Sequence, residues 1–204
     1  MSSSLAAAAA GLGTGLSLII AIGAQNAYVL RQGVRREHVG PIVAICAASD
    51  AVLIAAGVGG LGALVRKMPT AVTAIAWIGA AFLVTYGILA ARRAWRQQDH
   101  LDAAGTDQKS LRTAVLTCLA LTWLNPHVYL DTVLLLGTVG NSYGSGHWYF
   151  ALGAVTGSVL WFSGLGFGAR RLGALLARPK AWRVLDGVIA VTMITLGVAM
   201  VART

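Results

Sequence analysis

The sequence predicts an all-α integral membrane protein with six transmembrane helices, arranged as two inverted three-helix repeats, with both termini outside the cell. Composition is the first reason, because 57% of the 204 residues are hydrophobic and only 11% are charged, as is typical of membrane proteins. The apolar residues also form six runs, each near the roughly 20 residues that cross a bilayer. Finally, the basic residues gather in alternate gaps between these runs.

The six predicted spans follow one another with short gaps. They lie near Leu5–Leu30, Val39–Val65, Thr70–Ala91, Thr113–Gly137, Trp148–Ala169 and Val184–Val201. No basic residue precedes the first run, so we interpret it as a span and not as a cleaved signal peptide. Trp148, Tyr149 and Trp182 lie at span ends, where aromatic side chains anchor helices at the membrane interface.

The basic residues set the predicted orientation. The chain has 16 Lys and Arg against 7 Asp and Glu, a net charge of +9. Nearly all of these cations fall in the first, third and fifth gaps, which the positive-inside rule makes cytoplasmic. This placement between spans explains the basic balance without a nucleic-acid partner, and the partner it implies is the lipid bilayer.

Short internal matches indicate two repeats within a single transmembrane transporter domain, residues 1–204. Asn26-Ala-Tyr-Val-Leu resembles Asn125-Pro-His-Val-Tyr-Leu, and Ala51-Val-Leu resembles Ser158-Val-Leu. Repeat one covers about 5–91, a cytoplasmic connector about 92–112, and repeat two about 113–201. Because each repeat has an odd number of spans, the two are inverted, a frequent plan of secondary transporters with a binding site near the midplane.

The stretch Leu119–Leu136 carries Asn125, Pro126, His127 and Asp131 inside an apolar run. Proline cannot donate to the carbonyl four residues earlier and clashes with the preceding turn. A carbonyl freed at membrane depth is tolerated only where protein or a water-filled cavity satisfies it. The stretch is therefore predicted to be a broken helix that lines a polar cavity.

Asp50 and Asp131 are the main candidate site residues. A carboxylate at the centre of a spanning helix costs about 2.5 to 3.5 kcal/mol on insertion scales, so each is expected to hold a proton or a cation. The alternative is that each accepts hydrogen bonds from neighbouring hydroxyls and only fixes helix packing. His127 lies one turn before Asp131 and is either a proton carrier or a polar filler. Asp186, at the start of the last span, is interpreted as a water-accessible interface residue.

Amide and aromatic side chains complete the candidate site. Gln25, Asn26 and Asn125 bring amide groups into the spans and suit recognition of amino or carboxylate groups, although amides also bond helices together. Tyr28 and Tyr129 line a cavity or simply pack. Cys46 and Cys118 fall in apolar segments and behave as small hydrophobic residues. Three pairs of glycines spaced four residues apart are predicted to allow close helix contact: Gly11 with Gly15, Gly153 with Gly157 and Gly164 with Gly168.

Two long motifs resemble the lysine exporter (LysE/ArgO) family of bacterial basic amino-acid exporters. They are Gly23-Ala-Gln-Asn-Ala-Tyr-Val-Leu-Arg-Gln-Gly33 and Leu121-Thr-Trp-Leu-Asn-Pro-His-Val-Tyr-Leu-Asp131, and the similarity extends to Ser49-Asp50 and to Pro179-Lys-Ala-Trp-Arg183. The resemblance implies a multi-pass carrier of the bacterial inner membrane that expels L-lysine and L-arginine. It also implies that Asp50 and the Asn125-Pro126 to Asp131 motif match the intramembrane polar positions of the family.

The predicted function is therefore export of L-lysine, L-arginine or both, in exchange for protons, with no cofactor and no metal. Export of another small amino acid or cationic metabolite is the alternative, and a non-transporting scaffold is a weaker one. A channel would need a continuous polar lining, and an enzyme would need a nucleophile with a base or a set of metal ligands. The choice between lysine and arginine, the coupling ion and the presence of a homo-oligomer stay open.

Overall fold

A computed structural model describes residues 2–20, 23–61, 67–96, 110–172 and 179–202, and every regular element in these ranges is helical. The first half contains α1 (Ser2–Ile19), α2 (Ala24–Arg35), α3 (Val39–Ala56) with its π-helical continuation π1 (Gly57–Leu61), and α4 (Pro69–Arg96). The second half contains α5 (Leu111–Trp123), α6 (Pro126–Val128), π2 (Tyr129–Leu136), α7 (Gly137–Asn141), α8 (His147–Gly168) and α9 (Pro179–Ala202). Short 3-10 turns at Gly144–Gly146 and Ala169–Leu172 flank α8.

Three described helical stretches are long and apolar enough to cross a membrane: Val39–Leu61, Gly144–Gly168 and Arg183–Ala202. The pair α1 and α2 passes the same test together and gives a fourth span if it is counted as one. Two shorter apolar stretches, Trp77–Arg92 and Leu111–Trp123, also occur. The predicted all-α membrane class is confirmed, while the arrangement of six spans in two repeats stays a prediction.

The first predicted span is divided. α1 and α2 meet at an angle of 83°, and Gly23, the residue before α2, has an extended backbone with φ −110° and ψ 174°. The apolar run Leu5–Leu30 therefore does not form one straight helix. Hydrophobicity alone cannot reveal this bend, because the residues around it, from Leu18 to Ala24, are all apolar or glycine.

Glycine brings α1 and α8 together. A Cβ at Gly11 would overlap the carbonyl of Phe150, and one at Gly153 would overlap the carbonyl of Ala8. Close packing of this kind is the usual purpose of small residues spaced four apart in membrane helices. It confirms the prediction for the pairs that begin at Gly11 and Gly153. The prediction for Gly164 with Gly168 is wrong, because no atom of the described residues lies within 4 Å of a Cβ at either position.

The buried apolar side chains of the described residues form two clusters. The larger joins α2, α3, α4, α5, α8 and α9, and the smaller joins α1, the end of α3, the π2–α7 region and α8. The backbones of π1 and α7 also touch, since a Cβ at Gly137 would lie 2.6 Å from the carbonyl oxygen of Gly57. α4 packs chiefly on α9, as α1 does on α8.

Candidate functional site

The helix that begins at Leu111 breaks where the sequence predicted. α5 ends at Trp123 and the chain resumes as α6 at Pro126. The side-chain Oδ1 of Asn125 accepts a hydrogen bond from the His127 backbone N–H at 3.1 Å, the bond that an N-cap residue makes at the start of a helix. The Thr122 carbonyl accepts from the Asn125 N–H at 3.4 Å, and the Trp123 carbonyl accepts from the Tyr129 hydroxyl at 2.8 Å. Protein groups thus satisfy the carbonyls that the break exposes.

The junction of α1 and α2 is a second break, held by an amide. The Nδ2 of Asn26 donates to the carbonyl of Ile19, the last residue of α1, at 2.6 Å. Its Oδ1 accepts from the indole N–H of Trp161 on α8 at 3.3 Å. Asn26 therefore ties both sides of the first break to α8, much as Asn125 caps the helix after the second.

A cavity of about 240 Å³ lies between the two breaks. Six of the side chains predicted for the site line it together: Gln25, Asn26, Asp50, Asn125, His127 and Asp131. The remaining lining is mostly apolar and comes from Leu18, Ile19, Gly23, Ala24, Val128, Thr132, Leu136, Phe162 and Leu196. A concave, largely apolar pocket with a few convergent polar groups is the usual form of a small-molecule site.

The two carboxylates have different surroundings. Asp50 is 3% exposed, and its Oδ2 accepts a hydrogen bond from the Ser158 hydroxyl of α8 at 2.6 Å. The neighbouring Ser49 accepts from the indole N–H of Trp123 at 3.2 Å, so α3 is fixed to both α8 and α5 at this depth. Asp131 is half-buried. No hydrogen bond or ion pair joins it to His127 among the described residues, although both line the cavity.

Gln25 brings a buried amide to the cavity. Its side chain lines the cavity, and its Nε2 lies near the Cys46 thiol but makes no hydrogen bond of ordinary geometry to the described residues. A buried amide left in this state costs about 1 to 3 kcal/mol of desolvation. Native structures leave few such groups, so this amide is the weakest-bonded buried polar group of the described cavity lining.

Two predicted residues lie elsewhere, and one is only partly described. The Tyr28 hydroxyl donates to the carbonyl of Ala114 at 3.2 Å and accepts from Gln32 at 2.8 Å, between α2 and α5. The Tyr129 hydroxyl bonds the break, and neither tyrosine lines the cavity. Pro126 begins α6, and its side chain lies outside the described part of the chain.

Sequence reasoning missed an ion pair. Asp186 was predicted to be an interface residue in reach of water, but it is 2% exposed and lies 3.3 Å from the guanidinium of Arg31. That prediction is wrong, because Arg31 is not in a solvated gap: α2 continues to Arg35 and buries it. The sequence did hold a signal for this ion pair, because Arg31 follows the end of the first predicted span and Asp186 lies at the start of the last one. The thiols of Cys46 and Cys118 also meet, 3.4 Å apart and both buried.

Comparisons with known proteins gave matches over most of the chain. The family model described as LysE type translocator matches residues 16–204. A provisionally named amino-acid transporter of Mycobacterium tuberculosis is 50% identical over 186 residues, 91% of either chain. The lysine exporter of Corynebacterium diphtheriae is 36% identical over 91% of this chain and 94% of its own length. An arginine exporter of Klebsiella pneumoniae is 40% identical over 90% of this chain and 87% of its own length.

No solved structure matches the chain. The family match nevertheless covers both breaks and every residue that lines the cavity. The curated relatives share 36% to 50% identity over nine-tenths of the chain. The chain therefore belongs to the LysE type translocator family.

Proposed function

We propose that this protein exports basic L-amino acids, L-lysine, L-arginine or both, from the bacterial cytoplasm across the inner membrane. The amino acid binds in the cavity between the two breaks, and protons move inward in exchange. The observation that carries the proposal is the charge of the cavity. Its lining holds Asp50 and Asp131 but neither lysine nor arginine among the described residues, although the whole chain carries +9.

The charges of the substrate and the cavity are complementary. A basic amino acid has two cationic groups and one carboxylate, so two aspartates suit its cations. The carboxylate requires donors, and the cavity lining includes the Gln25 amide and the start of α2 at Gly23 and Ala24. A helix N-terminus carries a partial positive charge and unpaired N–H groups, which favour an anion.

The size of the cavity supports a small substrate. Its volume of about 240 Å³ lies below the roughly 300 to 1,000 Å³ of sites for drug-sized ligands. Apolar side chains such as Leu18, Phe162 and Leu196 cover the rest of the lining and suit the methylene groups of a long side chain. Relatives named as lysine and arginine exporters support the same class of substrate.

The breaks support a transporter made of two inverted repeats, residues 5–91 and 113–201, in a single domain of six spans. Each break lies at one of the two matching asparagine motifs, Asn26 in the first half and Asn125 in the second. Discontinuous helices that meet at a central site are typical of inverted-repeat transporters. Both termini then lie outside, and the Arg-rich gaps lie in the cytoplasm.

Export of a cation requires an energy source. Moving one elementary charge outward against an inside-negative potential costs about 2.3 kcal/mol per 100 mV. Exchange for protons at Asp50 and Asp131 would offset this cost, because a carboxylate that releases a cationic substrate can take up a proton. Transport in vesicles should then respond to an imposed pH difference, and equal rates with and without that difference would contradict proton exchange.

The decisive experiment is efflux from cells fed a lysine- or arginine-containing dipeptide. Asp50→Asn and Asp131→Asn should each abolish efflux at equal membrane abundance. Glu37→Gln is the matched control, because Glu37 pairs with Arg35 outside the cavity and should export normally. If both cavity variants export like the parent, the carboxylates only pack. If the parent exports a neutral amino acid instead, the alternative substrate class is correct.

A further inference from the structure

The buried ion pair between Arg31 and Asp186 has no part in the proposed substrate site. The two side chains are 7% and 3% exposed and lie 3.3 Å apart, and neither residue lines the cavity. Removing two charges from water is costly, and apolar replacements of similar volume are often as stable or more so. A contribution to folding stability therefore does not explain why this ion pair is buried. We infer instead that the pair functions in a step of transport in which it opens.

The pair joins two helices that both lead to the cavity. α2 begins at the cavity, and Arg31 follows seven residues after Ala24, about 10 Å along the helix at 1.5 Å per residue. α9 reaches the cavity at Leu196, ten residues or about 15 Å from Asp186. Arg31 and Asp186 therefore meet beyond one end of the cavity. Apart from this pair, α9 packs chiefly on α4 and contacts α2 only slightly.

That end is the cytoplasmic end in the proposed orientation. The C-terminal turn of α2 carries Arg35 and is followed by Arg36, and α9 begins in the Arg- and Lys-rich gap after α8. An exporter must load its substrate from this side. α2 and α9 must therefore separate here in the loading state, and the small contact between them is compatible with such a movement.

We propose that Arg31 and Asp186 form the cytoplasmic closure of the cavity, and that their ion pair breaks each time substrate is loaded. Charges suit this role because they regain water when the contact opens, which offsets the lost attraction. An apolar pair gains nothing on opening and instead exposes hydrophobic surface. Apolar replacement should therefore hold the closure shut. The proposal rests on the proposed function for its direction of transport.

The test compares three variants at equal membrane abundance. Arg31→Met with Asp186→Leu should fold, because replacement of a buried ion pair by apolar residues of similar volume is often tolerated, but its efflux of basic amino acid should fall at least tenfold. The reversed pair, Arg31→Asp with Asp186→Arg, should recover at least a third of parental efflux. Arg31→Met alone removes the guanidinium that faces the buried Asp186 carboxylate and should lower abundance. Parental efflux by the apolar pair, or no recovery in a folded reversed pair, would overturn the proposal.

A second measurement needs no substrate and so separates this proposal from the proposed function. Leu196→Cys places a thiol in the cavity lining, and a membrane-impermeant maleimide is applied to inverted or to right-side-out vesicles. The native Cys46 and Cys118 are 0% exposed, and the parent without Leu196→Cys gives their background. The apolar pair should reduce labelling from the cytoplasmic side at least tenfold and leave labelling from outside unreduced. Equal cytoplasmic labelling in both backgrounds would refute the closure.

Discussion

Ser158→Ala is the sharpest test of how the cavity is built. Ser158 is 0% exposed on α8, and its hydroxyl donates to the Asp50 carboxylate at 2.6 Å. Hydrogen bonds to charged groups contribute about 1.5 to 3 kcal/mol, and loss of one partner leaves the other desolvated. Since Asp50 is itself 3% exposed, water cannot readily replace the hydroxyl. The variant should therefore lose about 1.5 to 3 kcal/mol of unfolding free energy in mixed micelles.

A matched control lies on the same helix. The Thr156 hydroxyl donates to the carbonyl of Leu152 on an exposed face of α8. Thr156→Val removes that hydroxyl while keeping the side-chain volume, and surface changes of this kind usually stay within about 0.5 kcal/mol. A difference between Ser158→Ala and Thr156→Val therefore measures the bond to Asp50 and not a general effect of α8 hydroxyls.

A double-mutant cycle isolates the pair. In an Asp50→Asn background, Ser158→Ala should cost at least 1 kcal/mol less than in the parent, since residues in contact show coupling energies of about 0.5 to 3 kcal/mol. Efflux should show a raised KM in Ser158→Ala, because Asp50 loses the bond that orients its carboxylate. Equal costs in both backgrounds together with a parental KM would refute the reasoning.

Two substitutions test the second break, the first of them with a control. Gly79→Ala on α4 should cost about 1 to 3 kcal/mol by overpacking, because a Cβ there would overlap the carbonyl of Leu124. The control Gly187→Ala on α9 has no atom of the described residues within 4 Å and should be neutral or slightly stabilising in a thermal unfolding assay. Equal melting temperatures for these two variants would contradict the contact. The Tyr129 hydroxyl donates to the Trp123 carbonyl, so Tyr129→Phe should lower the free energy of unfolding by about 1 kcal/mol. The KM of efflux should stay unchanged. A raised KM would instead support the substrate contact predicted from the sequence.

The second break was predictable because proline leaves a local signature. Pro126 has no N–H and cannot donate to the Thr122 carbonyl, and Asn125 directly before it is a good N-cap residue. Asp50 and Asp131 stood out for a similar reason, since a carboxylate within an apolar run is costly, and the structure places both in the cavity lining. Both features are properties of a few adjacent residues, so no tertiary information was needed to locate them.

The first break and the ion pair depend on distant contacts. The chain turns by 83° between α1 and α2 without a proline, and Asn26 stabilises this turn through Trp161, which lies 135 residues away. The interpretation of Asp186 failed in the same way, because Arg31 and Asp186 are far apart in sequence. The positive-inside argument also treated Arg31 as one of the solvent-exposed cations between the first two spans, although α2 continues past it.

Those distant contacts give α8 a role that its own sequence does not reveal. Ser158 and Trp161 are three residues apart and therefore share a face of the helix. Ser158 donates a hydrogen bond to Asp50, and Trp161 donates one to Asn26. A helix of the second half of the chain therefore holds two cavity-lining side chains of the first half. Movement of one half against the other must strain or exchange these bonds. A transporter that rocks its repeats would therefore couple the opening of the cavity to the position of the Asp50 carboxylate, where the proposed exchange of cation for proton takes place.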